Sequence, residues 1–392
     1  MNNERKYNQS HTPKASLLGR FGGAILFLLF FSFTAEARRN QPINFLEYAK
    51  TLADAEIART PATSMLHASW NYRSAFLNDA FIRLYDETEI EAYFIYVKTV
   101  ADKLVDERGQ INSFDLEQFD LRNMLGGNFL YDLFLITRDR RYLFAMNQLR
   151  RQLHRQPRAE NRLFWFTNEN ENLVRIDGFY MALPFYSTYA AVHNQSPVFE
   201  DIVLQIRRTD QNTLDAATGL NFQAWNGSTN QSSQALFAQS IAFYLMGLVD
   251  ILDYFPVNHP ARDEIIGKIN RIVRGLDRLQ DSRTGMWFQV VNMQRDSRNF
   301  LDAGATAMFA YAIAKSVNNG YLPQRDRRIA ERAFQGLINN SLENGNLLRT
   351  STMPNLNNVT DGTAEFYFNL PQTTNEPSAV AAFILAGIQL AR

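Results

Sequence analysis

The sequence predicts an all-α fold, an (α/α)6 toroid of six helical hairpins, and three observations lead there. Beyond the N-terminal forty or so residues, almost every periodic segment has the 3.6-residue spacing of a helix rather than the alternation of a strand. Segments that are apolar nearly all round, such as Ala305 to Lys315, take turns with segments that carry a charged face, such as Arg325 to Arg332. An all-round apolar helix is buried on two sides, and a one-faced helix covers it from outside. Finally, no linker or low-complexity stretch interrupts residues 43–391, and no strict repeat period marks an open solenoid.

In chain order the expected helices are 43–57, 66–85, 87–104, 120–136, 139–154 and 177–193, then 197–212, 232–254, 260–279, 301–319, 324–341 and 376–391. Punctuation supports the later ones. His259-Pro260 opens a helix with proline in its first turn, and Asn318-Asn319-Gly320 closes another. Between helices, a pattern occurs twice: Asp215-Ala-Ala-Thr-Gly-Leu-Asn-Phe-Gln-Ala-Trp-Asn226 and Asp281-Ser-Arg-Thr-Gly-Met-Trp-Phe-Gln-Val-Val-Asn292. Asp and Thr-Gly are ordinary turn chemistry, so each copy reads first as a turn joining two helices. The aromatics beside an amide in each copy also suit a sugar ring.

Ahead of the helices lies a secretion signal. Arg5, Lys6, Lys14 and Arg20 form a positive leader, Phe21 to Phe33 an apolar run, and Ala35-Glu36-Ala37 a small-x-small cleavage pattern. The run is shorter than the roughly 20 residues that span a bilayer. Residues 1–37 are therefore expected to be a signal peptide and 38–392 a single domain, placing the mature protein in a periplasm or outside the cell with no membrane attachment after cleavage. The chain has no cysteine, which excludes disulfides, zinc–thiolate sites and a lipid-anchored N-terminus. Forty basic and forty acidic side chains leave a formal charge of zero. A nucleic-acid partner working by bulk electrostatics would call for a basic surplus. With 46% hydrophobic residues and 30 Phe, the chain can bury a large core. No metal-ligand constellation, phosphate loop or nucleophile elbow is present, so no cofactor is expected.

Several segments together resemble the unsaturated glucuronyl and rhamnogalacturonyl hydrolases of glycoside hydrolase families 88 and 105, the latter especially. They are Tyr142 to Arg158, Ile176-Asp-Gly-Phe-Tyr-Met-Ala-Leu-Pro-Phe185, Met246 to Pro256 with His259-Pro260, Phe300 to Tyr311, and Asn375-Glu-Pro-Ser-Ala-Val-Ala-Ala-Phe-Ile-Leu-Ala386. The similarity covers roughly residues 65 to 392. It implies a six-hairpin glycosidase-like barrel, in agreement with the helix count. It also implies action on the Δ4,5-unsaturated uronic acid that polysaccharide lyases leave at a chain end. In that chemistry an aspartate protonates the enol-ether carbon and helps water add across the double bond, rather than working as one of two flanking carboxylates. Asp177 occupies that aspartate's position, and an acidic oligosaccharide is the implied partner.

The sequence departs from the family pattern around this position. Arg122 stands where a second aspartate is expected, Phe166 replaces a histidine, and Arg175 replaces a tryptophan. Gln223 stands for a histidine, Gln239 for an arginine and Ala242 for a glycine. An arginine in contact with a carboxyl favours the ionised form, and an aspartate kept ionised is a poor general acid near neutral pH. Asp177 is therefore the candidate catalytic residue, with helix N-capping as the bland alternative. Arg122 and Arg175 are candidates to clamp a substrate carboxylate or to pair with local acids such as Asp120. Trp165, Gln223, Trp225, Gln239 and Phe243 complete the expected substrate-binding set. A working hydrolase predicts a central pocket where Asp177, Gln223, Trp225 and Gln239 converge. A catalytically impaired barrel that binds an acidic oligosaccharide or serves a structural role predicts Arg122 against Asp177, with Phe166 and Phe243 narrowing the space. His67 reads as structural.

Overall fold

The computed structural model describes residues 43–392; the expected signal peptide at 1–37 lies outside the described residues. Helices run in the order α1 (Phe45–Arg59), α2 (Tyr72–Thr88), α3 (Glu91–Leu104), α4 (Gly126–Thr137), α5 (Arg140–Arg155), α6 (Gly178–Val192) and α7 (Pro197–Thr213). They continue as α8 (Ala238–Ile251), α9 (Arg262–Leu279), α10 (Ala303–Asn318), α11 (Arg327–Asn340), the short α12 (Ala364–Phe368) and α13 (Pro377–Ala391). Each predicted helix is present. Three start about six residues later than periodicity suggests, α4 because Leu121–Leu125 winds as a 3-10 turn ahead of it. The Asn71 side chain accepts from Ser74 N at 3.0 Å and starts α2 afresh after a 3-10 turn at Met65–His67. Ser232 is drawn into a strand against Trp225, and α8 begins only at Ala238.

The helices form the predicted toroid. α2, α4, α6, α8, α10 and α13 pack on one another in sequence, and α13 returns to α2 to close an inner ring. Of these, α6, α8, α10 and α13 are buried almost throughout, and every residue of α8 is buried. α3, α5, α7, α9 and α11 each cover the inner helix next to them with a single apolar face, and α1 covers α13. The sixth hairpin is thus assembled from the two ends of the described chain.

The repeated dodecamer is a turn, as its Asp and Thr-Gly suggest. Asp215 Oδ2 accepts from Thr218 N at 3.2 Å and from Thr218 Oγ1 at 2.6 Å; Asp281 Oδ2 accepts from Thr284 N at 2.9 Å and from Thr284 Oγ1 at 2.7 Å. Gly219 and Gly285 follow at φ +77° and +76°, a conformation glycine takes without strain. Gly219 rests against Arg271 of α9, and Gly285 against Arg332 of α11. Gly109, after α3, meets α5 in the same way, and Gly345, after α11, meets α1. Each such turn leads the chain off one outer helix against the next outer helix around the ring.

Because every inner helix returns through an outer one, all six inner N-termini gather at one end of the ring. The other end is tied by charge. Lys315 Nζ lies 2.7 Å from Asp250 and 2.6 Å from Asp253, while the Tyr311 hydroxyl donates to Asp250 at 2.8 Å. Nearby Arg83 pairs with Asp79 at 3.0 Å, and burial pushes the Asp79 carboxyl up to about 6.

Candidate functional site

The six inner N-termini make a mouth, and their dipoles favour negative charge there. Asp177 opens α6, Asp302 caps α10 and Glu376 caps α13. Asp302 Oδ1 accepts from Ala305 N at 3.0 Å, and Glu376 Oε2 accepts from Ser378 N at 2.8 Å and Ala379 N at 3.2 Å. Asp177 differs from both. Its backbone is already helical, and its side chain caps nothing.

Arg175 takes both Asp177 oxygens instead: Nε to Oδ1 at 3.2 Å and Nη2 to Oδ2 at 2.8 Å. The pair is buried, Asp177 at 1% exposure and Arg175 at 3%. Arg175 Nη2 also donates to the Pro354 carbonyl at 3.2 Å, and its guanidinium lies 4.2 Å from the Phe166 ring centre. Arg122, expected against Asp177 in the impaired reading, pairs with Asp120 at 2.7 Å, and its guanidinium lies 5.5 Å from the centre of the same Phe166 ring. Phe166 therefore packs against both arginines, and Arg175 rather than Arg122 holds the aspartate. The reason is local. Asp120 is two residues from Arg122, and its carboxylate also accepts from Arg122 N at 2.9 Å.

The remaining candidates divide into two groups. Gln239 belongs to the mouth: its Nε2 donates to Asp302 Oδ2 at 3.1 Å, Ser351 O at 2.9 Å and Ser351 Oγ at 2.7 Å. Gln223 is fully buried; its Oε1 accepts from the Tyr367 hydroxyl, and its Nε2 faces Met353 Sδ at 3.8 Å. Ser351, Met353 and Pro354 thus reach Gln239, Gln223 and Arg175 in turn, so the segment running on from residue 350 covers the mouth. Leu356, Val359 and Tyr367 anchor it in a small apolar core with Leu173, Ala224, Phe237 and Val290.

Trp225 does not converge with Asp177, Gln223 and Gln239 as the sequence reading expects. Strand pairing sets Val174 opposite Trp225 and Arg175 opposite Ala224. Because successive side chains in a strand point to opposite faces, Trp225 turns away from Arg175. It packs with Val174, Leu163 and Ala159, and Trp165 joins the same cluster. Their indole N–H groups donate to Asn230 and Asn172, each at 3.1 Å. Phe243 lies deeper between the inner helices, stacked on Tyr180 at 5.6 Å. His67 is a buried bridge, with Nδ1 2.6 Å from Ser74 Oγ and Nε2 2.7 Å from the Tyr96 hydroxyl; burial lowers it to about 4.

Three mouth residues escaped the sequence reading. Asp302 and Glu376 are buried, and desolvation pushes them up to about 6 and about 7. Arg73 Nε lies 3.2 Å from Glu376 Oε1. Both acids stand immediately before a helix inside quoted motifs, and that position is the signal that could have found them. Among the described residues, no group of three or more His, Cys, Asp or Glu is placed to hold a metal ion, and no helix is long and apolar enough to cross a membrane.

The model of Glycosyl Hydrolase Family 88 matches residues 48–392. The chain belongs to this family. A glycoside hydrolase of family 105 from C. acetobutylicum ATCC 824 is similar in structure, with a TM-score of 0.83 and 29% identity over 88% of this chain and 99% of that one. An unsaturated glucuronyl hydrolase specific for heparin shares the fold, with a TM-score of 0.68 and 14% identity over 89% of this chain and 97% of that one. Protein Atu3128 of Agrobacterium fabrum is 26% identical over 227 residues, which is 53% of this chain and 96% of that protein. This family-88 chain therefore has the six-hairpin glycosidase fold, and its family relationship supports unsaturated glycosyl hydrolase activity in general.

Proposed function

We propose that the protein releases Δ4,5-unsaturated uronic acid from lyase-generated oligosaccharides by hydrating the enol ether, with Asp177 as the acid/base. The observation that carries this reading is the Arg175–Asp177 pair at the mouth, bonded at 2.8 Å and 3.2 Å. It sets a carboxyl for proton transfer beside a planar cation that binds carboxylates bidentately. In the described conformation the guanidinium spends itself on Asp177. An arriving uronate offers Arg175 a second carboxylate, and exchange of partners frees Asp177. Protonated Asp177 then gives its proton to one carbon of the double bond and takes one back from the water that adds to the other, and the resulting hemiketal breaks down to release the sugar. The step requires the Ser351–Pro354 cover to move, since Asp177 is only 1% exposed. The N-terminal leader supports action in a periplasm or outside the cell.

A second reading has a specific observation in its favour: the same pair is fully buried and capped by the Pro354 carbonyl. On that reading the barrel binds an acidic oligosaccharide without turning it over. The test follows the ultraviolet absorbance of the enol ether in lyase digests of pectin, ulvan and glycosaminoglycan, with Asp177→Asn as control. Absorbance lost with the native protein and retained with Asp177→Asn supports the hydrolase. No loss on any digest with folded protein overturns it, and oligouronide affinity then becomes the quantity to measure.

A further inference from the structure

α5 carries Arg140, Arg141, Arg150, Arg151, His154 and Arg155 and no carboxylate of its own. Arg141 is neutralised by Asp102 at 2.9 Å and Asp139 at 2.7 Å, and Arg155 by Glu117 at 2.7 Å. Among the described residues, Arg140, Arg150 and Arg151 have no carboxylate within ion-pair reach. Arg150 and Arg151 line an open, shallow cavity of about 540 Å³ between α5, the end of α6 and Gln195, and no acidic residue lines it.

Arg150 is the informative member. Its guanidinium lies over the rings of Tyr186 and Tyr189, 5.1 Å and 5.9 Å from their centres. Its Nε and Nη2 donate only to the neutral Gln195 Oε1, at 3.3 Å and 3.2 Å, and its buried Nη1 has no hydrogen-bond partner. Asp201, which accepts from the Tyr186 hydroxyl at 3.2 Å, is taken by both terminal nitrogens of Arg158 at 2.7 Å and does not serve Arg150. A part-buried cation without a counter-charge is costly unless something supplies one. The cavity adds the exposed ring of Phe144 and the amides of Asn147 and Gln195. Aromatic faces, amides and unneutralised guanidinia are the groups that recognise a sugar bearing a carboxylate.

We propose that this cavity, on the outer helix α5 and apart from the mouth, is a second binding site for an acidic oligosaccharide, with Arg150 and Arg151 receiving a uronate carboxylate. The choice of uronate over other anions rests on the substrate class proposed above; the presence of an anion site does not.

The test is titration calorimetry of the full chain with a short saturated oligogalacturonate, which lacks the enol ether and so reports binding without turnover. The comparison ligands are its carboxyl-reduced counterpart and inorganic phosphate. Losing a charge-assisted hydrogen bond to the carboxylate, Arg150→Gln is expected to weaken binding about tenfold or more. Arg151→Glu, at an exposed position that leaves the fold intact, is expected to weaken it by a similar factor. Hydrolysis of the lyase digests is followed in parallel and is expected to be unchanged in both variants, so loss of this binding is told apart from loss of the reaction at the mouth. Unchanged affinity in Arg151→Glu, or equal affinity for the carboxyl-reduced sugar, overturns the proposal. Phosphate binding as tightly as the oligogalacturonate overturns the uronate assignment.

Discussion

Arg175 and Asp177, two residues apart in sequence, form a bidentate ion pair inside the protein, with side-chain exposures of 2% and 1%. A strand residue and the first residue before a helix are brought face to face by the turn between them. Breaking such a pair from one side leaves a buried, uncompensated charge, typically a loss of 3–5 kcal/mol. Arg175→Met is therefore expected to destabilise the protein by about that much. The double variant Arg175→Met/Asp177→Asn should lose less than the sum of the two single changes. Urea unfolding of all four proteins measures the coupling; strict additivity would show that the pair is not coupled.

Glu376 makes stability depend on pH. Its carboxyl is raised to about 7 from 4.5 by desolvation, with Arg73 and the α13 N–H groups pulling the other way. The folded state thus binds this proton more tightly than the unfolded state. The contribution is fully present below the unfolded value and is lost as pH rises through about 7. Relative to Glu376→Gln, the native protein should lose on the order of 3 kcal/mol between pH 4.5 and pH 8. Thermal unfolding of both proteins across that range tests this; parallel pH curves would refute it.

At the opposite end of the ring, Lys315 balances Asp250 and Asp253 at 2.7 Å and 2.6 Å. Lys315→Met should cost about 3–5 kcal/mol because two carboxylates lose their shared cation. Adding Asp250→Leu should recover part of that loss, since a buried pair replaced by apolar groups is often neutral. Chemical denaturation of the single and double variants measures both effects.

One glycine of the repeated turn can be set against a glycine outside it. Gly285 and Gly320 have nearly the same φ, +76° and +74°. A Cβ at Gly285 would strike the Arg332 backbone carbonyl, while nothing lies within 4 Å of one at Gly320. Gly320→Ala should cost roughly 1 kcal/mol, the left-handed strain alone. Gly285→Ala should cost distinctly more, because α11 must move. Equal melting temperatures for the two variants would contradict this.

The helices, their alternation between inner and outer rings, the turn chemistry of the dodecamer and the family were legible in the sequence by itself. Each depends on periodicity or on contacts a few residues apart, which a linear pattern records. The tertiary structure alone decided the partner of Asp177, the direction of Trp225 and the closure of the mouth. Arg122 and Arg175 are equally plausible partners on paper; Asp120 takes the first, and the strand-to-helix turn delivers the second. Trp225 faces away because pairing with Val174 fixes its side of the strand. Gln239 meets Ser351 across 112 residues, and Arg175 meets the Pro354 carbonyl across 179. Ion pairs and hydrogen bonds act only over a few ångströms, so which groups interact is set by how distant segments pack, and no local pattern carries that information.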